Sequence, residues 1–387
     1  TLEVVPYSNP SPTGNLSTGE LEVAADPTGD VTAVWSLSVF YTNSTSVYKN
    51  YVFASRYSPT AGWQSQILGS DDADVSGSRS AAVAVNATGH AAVVWQVEHN
   101  GIGPTHTPYI WSQQYMPGIG WVERTVFNTS ASAGAPDVAV DPTGAVTVMW
   151  SEQGIWSNRY TPAVGWGAPE LVAGSGGGAE LVVDPTGAVT DVWSQQGIWS
   201  NRYTPGVGWG APELVSGSGG GAELAVDPTG HVTVVWSQDG IWSNRYVPAV
   251  GWGVAEQINA GTGGSGPQVA VDPAGNVTVV WSDGAIWSRR YTPGVGWGAA
   301  EQISAGGDDP QVAVDSNGGV TVVWRQSFAG GPVNAWSNRY TPGVGWGTAQ
   351  VIGSGNVVDV DVTAEASGSA LAVWKTDRGT VLSKRSE

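Results

Sequence analysis

Cysteine is missing from all 387 residues. That removes disulfide staples, thiol nucleophiles and thiolate zinc sites, and it leaves the compartment open, because a chain this long can bury a core without cross-links. Positive charge is scarce as well: Lys and Arg together number 15 against 33 Asp and Glu, a formal net charge of −18. A surface of that sign disfavours a nucleic-acid backbone and an anionic membrane alike. No apolar run reaches the length of a membrane-spanning helix. Helical periodicity is also lacking, since 55 Gly and 23 Pro recur at spacings too short for a helix of three turns. The four histidines, His90, His99, His106 and His231, are scattered and set no metal-ligand spacing. The chain therefore reads as all-β, with no metal and no cofactor. It is rich in Gly, Ser and Thr with 12% charged residues, a composition that points to an exported or cell-surface protein. It starts directly on a strand-like segment, and the expectation is that a signal peptide has been removed.

Tryptophan, by contrast, is abundant, and its 21 copies fall into three registers of one repeating unit. The first register ends a Val/Thr-rich run: Trp35, Trp95, Trp150, Trp193, Trp236, Trp281, Trp324 and Trp374. The second opens the phrase W-S-N-R-Y or a variant of it: Trp111, Trp156, Trp199, Trp242, Trp287 and Trp336. The third follows a Pro/Gly turn as G-W: Trp63, Trp121, Trp166, Trp209, Trp252, Trp297 and Trp346.

The clearest copy runs from Glu180 to Val215 and divides into four strand-like segments. E-L-V-V precedes a D-P-T-G turn, in which Pro fixes φ and Gly supplies a positive φ. V-T-D-V-W is β-branched and aromatic, I-W-S-N-R-Y is a third strand, and W-G-A-P-E-L-V is read as a fourth. The first-turn glycines, Gly29, Gly89, Gly144, Gly187, Gly230, Gly275, Gly318 and Gly368, each stand six residues before a first-register Trp and count eight copies. Four strands per unit at this period predict a β-propeller blade, so the expectation is an eight-bladed propeller spanning residues 1–387 as one domain. The last copy stops after its third strand, whereas Leu2-Glu3-Val4-Val5 resembles a fourth strand. The N-terminal strand is therefore expected to complete the eighth blade and close the ring, removing its open edges.

Two kinds of candidate site follow. The third strand carries Arg56, Arg159, Arg202, Arg245, Arg290, Arg339 and Arg385, with Gln114 in blade two, and the fourth carries Glu170, Glu213, Glu256, Glu301 and Gln350. A Trp face stacks on the apolar face of a pyranose while Arg and Glu donate to and accept from its hydroxyls. The same residues also suit inter-blade packing and structural ion pairs, and spacing alone leaves both open. For the first-register and G-W tryptophans, packing is the expected role.

The order of segments, ending in I-W-S-N-R-Y, turn and G-W-G-x-x-E, resembles the blade repeats of bacterial and fungal fucose-binding propeller lectins and those of uncharacterised secreted bacterial propeller proteins. The resemblance covers nearly the whole chain as a pattern. It implies sugar sites in clefts between blades, at Trp156, Arg159 and Glu170; at Trp199, Arg202 and Glu213; at Trp242, Arg245 and Glu256; and at Trp287, Arg290 and Glu301. Those lectins usually have six or seven blades, a departure from the eight counted here.

The second site lies where the repetition breaks. Blade one lengthens the segment Ser36 to Asn50, blade two Gln96 to Pro108, and blade seven Arg325 to Asn334. Phe40, Tyr41, Tyr48, Glu98, His99, His106 and Tyr109 are candidates for a partner face there. Asp71, Asp72 and Asp74 offer oxygen donors but match no calcium motif. Sialidases share the propeller, yet D-P-T-G-x-V-T-V-V-W lacks the leading Ser and the Asp-to-Gly spacing of their S-x-D-x-G-x-x-W box. Near-identical repeats build many equivalent sites, whereas catalysis needs one. The expected function is a non-catalytic, multivalent carbohydrate-binding or adhesive module facing glycans or a cell-surface protein. The alternatives are a structural or self-associating surface protein and, last, a glycan-cleaving enzyme.

Overall fold

A computed structural model describes residues 2–5, 15–41, 47–70, 80–98, 108–128, 133–259, 261, 263–327, 330–365 and 367–386. Eight antiparallel sheets succeed one another along these residues without a helix, and the chain is an eight-bladed β-propeller.

Blade four shows why the sequence builds this unit. Gly177–Val183 turns through Asp184-Pro185-Thr186-Gly187 into Val189–Ser194, which pairs with Ile198–Thr204. The Asp184 carboxylate locks the turn: its Oδ1 accepts from the Thr186 N–H at 2.8 Å, the Thr186 hydroxyl at 2.6 Å and the Ala188 N–H at 3.1 Å. Gly187 sits at φ 82°, a left-handed conformation that a side chain would strain.

The outer strand differs from the single segment read in the sequence. It is split into Gly208–Trp209, paired to the lower half of the third strand, and Glu213–Ser216, paired to the upper half. Blade five, which has no proline between the two pieces, is split in the same way into Gly251–Trp252 and Glu256–Gln257. The Gly210 N–H still reaches the Arg202 carbonyl at 2.9 Å, and the Asn201 side chain donates to the Gly210 carbonyl at 3.1 Å. Blade one carries Ser55 where blade four has the capping Asn201, and its outer strand runs unbroken over Gly62–Ser70.

The core lies between neighbouring blades. All eight first-register tryptophans are at most 2% exposed, and Trp95, Trp150, Trp236, Trp281 and Trp324 each sit against the apolar face of the blade before them. Trp236, for example, packs on Val192, Ile198 and Val215 of blade four. Truncating such an indole typically costs about 3–5 kcal/mol.

The chain forms two compact units. One comprises Thr1–Ala179 and Val373–Ser383, the other Glu180–Ala372 and Lys384–Glu387. The first holds blades one to three and the N-terminal strand Leu2–Val4, which pairs with Val381–Arg385, so that the last sheet runs N-terminal strand, Val381–Arg385, Ala370–Thr376, Val357–Ala364. The Val5 N–H extends this pairing to the Val381 carbonyl at 3.0 Å. The second unit holds blades four to seven.

Insertions expected as loops are partly strand. In blade one, Val31–Tyr41 pairs with Val47–Ser58 out to Tyr41 opposite Val47, so most of Ser36 to Asn50 is a longer hairpin. Blade seven does the same over Val320–Ser327 and Val333–Thr341. The blade-one insertion carries Val39, Phe40, Tyr41, Val47 and Tyr48 on its two arms, residue types that suit a pleated ladder better than a loop.

Candidate functional site

The third strand presents its residues to two different clefts, because successive side chains in a strand point to opposite faces. In blade four the register pairs Trp193 with Trp199 and Thr190 with Arg202. Trp199 and Arg202 are three residues apart and so lie on opposite faces. Glu213, opposite Ser200, shares the face of Arg202. The same split separates Trp156 from Arg159 and Glu170, Trp242 from Arg245 and Glu256, and Trp287 from Arg290 and Glu301. In the second unit, the clefts thus take Arg and Glu from one blade and Trp and Tyr from the next. Within the second unit, Trp242 and Trp252 of blade five pack on blade four, and Trp287, Tyr291 and Trp297 of blade six pack on blade five.

The arginines of these sets are engaged elsewhere. Arg202 donates to the Asp184 carboxylate of its own first turn and to the Thr190 hydroxyl. Arg159 pairs with Asp141 at 2.6 Å and Thr147 at 2.5 Å, and Arg339 pairs with Asp315. Arg245 and Arg290 stand 3.6 and 3.8 Å from Asp227 and Asp272. The guanidinium then covers the tyrosine of the following blade: Arg56 lies 4.1 Å over Tyr115, Arg245 4.4 Å over Tyr291 and Arg290 4.2 Å over Tyr340. With a buried carboxylate on one side and an aromatic face on the other, this arginine is a tie within and between blades.

Two blades vary the tie. In blade two both charges are gone: Asn86 replaces the turn Asp, Gln114 replaces the Arg, and His90 bridges to Gln114 at 3.0 Å. Burial pushes the His90 pKa below its ordinary value, against the opposing effects of the Gln114 hydrogen bond and the Asp141 charge. In blade five His231 sits 3.0 Å from the Asp227 carboxylate and shares it with Arg245. Burial pushes the Asp227 carboxyl up, but hydrogen bonds from Thr229 and His231 outweigh it and hold the group below the usual carboxylate value.

What the clefts leave open to solvent is aromatic and acidic. Every second-register tryptophan is half-buried, unlike the buried first register. In blades three to five its indole N–H is held by a backbone carbonyl of the tight second-to-third turn: Trp156 by Glu152 at 3.0 Å, Trp199 by Gln195 at 3.0 Å, Trp242 by Gln238 at 2.8 Å. Glu170, Glu213, Glu256 and Glu301 are exposed at the outer strand. Glu213 borders the cleft beside the G-W indole of the next blade, since Trp252 donates to Ser200, its cross-strand partner, at 2.7 Å. The G-W tryptophans are half-buried and meet the tyrosine of their own blade edge-on, as Trp209 does Tyr203 at 5.7 Å.

Of the partner-face candidates, Phe40, Tyr41 and Tyr48 fall in the lengthened hairpin of blade one, with Phe40 opposite Tyr48. Tyr109 is half-buried and pairs with Val97 and Asn128. Glu98 ends a strand opposite Pro108. His99, His106, Asp71, Asp72 and Asp74 lie outside the described residues. Among the described residues no group of three His, Cys, Asp or Glu stands where it could hold a metal ion.

The fold and this repeating cleft define a β-propeller whose blades meet in aromatic, acid-lined clefts. No protein-family model matches the chain, and no curated protein matches it. Solved structures similar to it include a protein of unknown function from Dyadobacter fermentans, at 15% identity over 87% of this chain and 98% of that one, with a TM-score of 0.49. A lectin mutant of Aleuria aurantia, solved with Fucα1-6GlcNAc, is 16% identical over 71% of this chain and 95% of its own, TM-score 0.40. An intramolecular trans-sialidase from Ruminococcus gnavus is 9% identical over 95% of this chain and 94% of its own, TM-score 0.41. At these identities and scores the three carry no argument about what this chain binds.

Proposed function

We propose that this chain is a non-catalytic, multivalent carbohydrate-binding module acting outside the cell or on its surface. The observation that carries this reading is the half-exposed second-register tryptophan of blades five to seven, Trp242, Trp287 and Trp336, packed on the preceding blade whose outer strand exposes Glu213, Glu256 and Glu301. An indole face with an acceptor carboxylate beside it suits a pyranose, and several weak sites on one body raise avidity without any single strong one. The arginine ties frame the cleft and are not its ligands. A glycan array tests the reading. Binding to a defined set of glycans is expected; Trp242→Ala should weaken it by roughly tenfold through lost stacking, with the melting temperature little changed, whereas Trp236→Ala should lower the melting temperature first. A folded protein that binds no glycan overturns it.

A second reading rests on a different feature. The third-to-fourth turns present a lone aliphatic side chain in six blades, Ile119, Val164, Val207, Val250, Val295 and Val344, each at least 75% exposed. Repeated apolar knobs of this kind suit a protein-interaction surface. Self-association lost on changing Val207, Val250 and Val295 together to Ser, with no glycan bound, would favour it.

A further inference from the structure

Blade six departs from its neighbours by one residue. Its third strand reads W-S-R-R-Y, placing Arg289 where blades four, five and seven carry Asn201, Asn244 and Asn338. Those asparagines are buried and cap backbone carbonyls: Asn201 that of Gly210 at 3.1 Å, Asn244 that of Gly253 at 3.2 Å, Asn338 that of Ile303 at 3.1 Å. Arg289 performs the same task with part of its guanidinium. Its Nε donates to the Gly298 carbonyl at 2.7 Å, and its Nη1 to the Ile258 carbonyl at 2.5 Å and the Gln257 carbonyl at 3.4 Å. Among the described residues its Nη2 makes no hydrogen bond, and no acidic group lies within ion-pairing distance. The other third-strand arginines that follow this position are all paired with a turn carboxylate.

A second donor is unspent in the same cleft. Trp287 stands two residues before Arg289 on the same face, packed with Trp297 on blade five. Unlike Trp156, Trp199 and Trp242, its indole N–H has no carbonyl partner; its turn reads S-D-G-A in place of S-x-x-G, with Gly284 at φ 66°. The acceptors are at hand too. Gln302, cross-strand from Trp287, uses its amide N–H on Ser304 at 2.8 Å and leaves its carbonyl oxygen free, while exposed Glu256 faces this cleft from blade five.

We propose that the cleft between blades five and six selects a saccharide bearing a carboxylate, of the uronic acid class. This inference rests on the carbohydrate-binding reading above and sharpens it for one cleft. A guanidinium half-shielded from water and lacking a counter-ion, in a chain of net charge −18, leaves a favourable place for one anion. Charge-assisted hydrogen bonds from Nη2 would supply the selectivity, the Trp287 indole would stack and donate to a ring or hydroxyl oxygen, and Glu256 and Gln302 would accept from the remaining hydroxyls. Glu256 also orients the ligand, because its own charge keeps the carboxylate on the Arg289 side.

The experiment is isothermal titration of the whole chain with methyl β-D-glucuronide and methyl β-D-glucoside, which differ at the carboxylate, repeated with Arg289→Asn. Asn restores the residue of the other blades and caps the same carbonyls, so the variant should fold. The parent is expected to bind the glucuronide about tenfold more tightly than the glucoside, as one charge-assisted contact allows. Arg289→Asn should bind both alike, and added salt should erode the parent's preference. Equal binding of the two by the parent, or a preference kept by the variant, overturns this inference while leaving the broader reading intact. A folded parent that binds neither sugar overturns both.

Discussion

At the residue scale, the ionisable groups that matter most to the fold are those in the first turns. His90 is held neutral by burial. Its unfolded form takes up a proton first, so its contribution to stability is complete above the ordinary histidine pKa of about 6.5 and is lost as pH falls through that value. The melting temperature is expected to be flat from about pH 8 to 7 and to decline toward pH 5, and His90→Gln should remove part of that decline. A parallel decline in the variant would discount the histidine. The Asp184–Arg202 tie makes a second test. Removing one partner with Asp184→Ala strands a largely buried guanidinium and should cost about 3 kcal/mol, read as a lower denaturation midpoint. The joint change to Asn and Gln, the pair that blade two already uses at Asn86 and Gln114, should cost much less than the single one.

At the element scale, much of the blade is legible in its text. The turn Gly and the first-register Trp repeat in all eight copies, the turn Asp in six and the Pro in five, and repetition exposes their role. The partner of the arginine was legible too, through a substitution pattern inside the chain: where the turn Asp becomes Asn86 the Arg becomes Gln114, and where it becomes Glu365 the Arg stays as Arg385 and pairs with it at 2.5 Å. The grouping of Trp, Arg and Glu from one blade into one site overlooked the two-residue period of a strand, which sends Trp156 and Arg159 to opposite faces. Other features were not in the text. The split of the outer strand depends on the backbone path after the G-W pair and on the side chain that caps it, and the free indole N–H of Trp287 depends on the backbone path of one turn. Propensity fixes neither.

At the scale of the whole molecule, the last sheet pairs a strand from the first residues with a strand more than 370 residues later in the sequence. Leu2–Val4 covers the edge of Val381–Arg385, and the neighbouring Lys375 ammonium, buried in the same sheet, donates to the Gly19 carbonyl of blade one. Deleting residues 1–5 leaves that edge uncovered, an open template for pairing with other chains. The truncated protein is expected to melt at lower temperature and to aggregate with rising concentration, as light scattering during heating would show. Unchanged melting and scattering would mean that the strand contributes little.

The tie between an arginine and the next blade's tyrosine has a consequence for how such a chain changes over time. In blades one, four, five and six the guanidinium is offered forward to the next blade's Tyr, so there the junction is carried within the repeat. A copy that is duplicated or lost by recombination brings its interface with it, and no compensating substitution is required on either side. Blades three and four, which share the text G-I-W-S-N-R-Y-T-P letter for letter, are interchangeable units in that sense. Positions outside the tie, such as Arg289, make one cleft chemically different from its neighbours while leaving the junction intact.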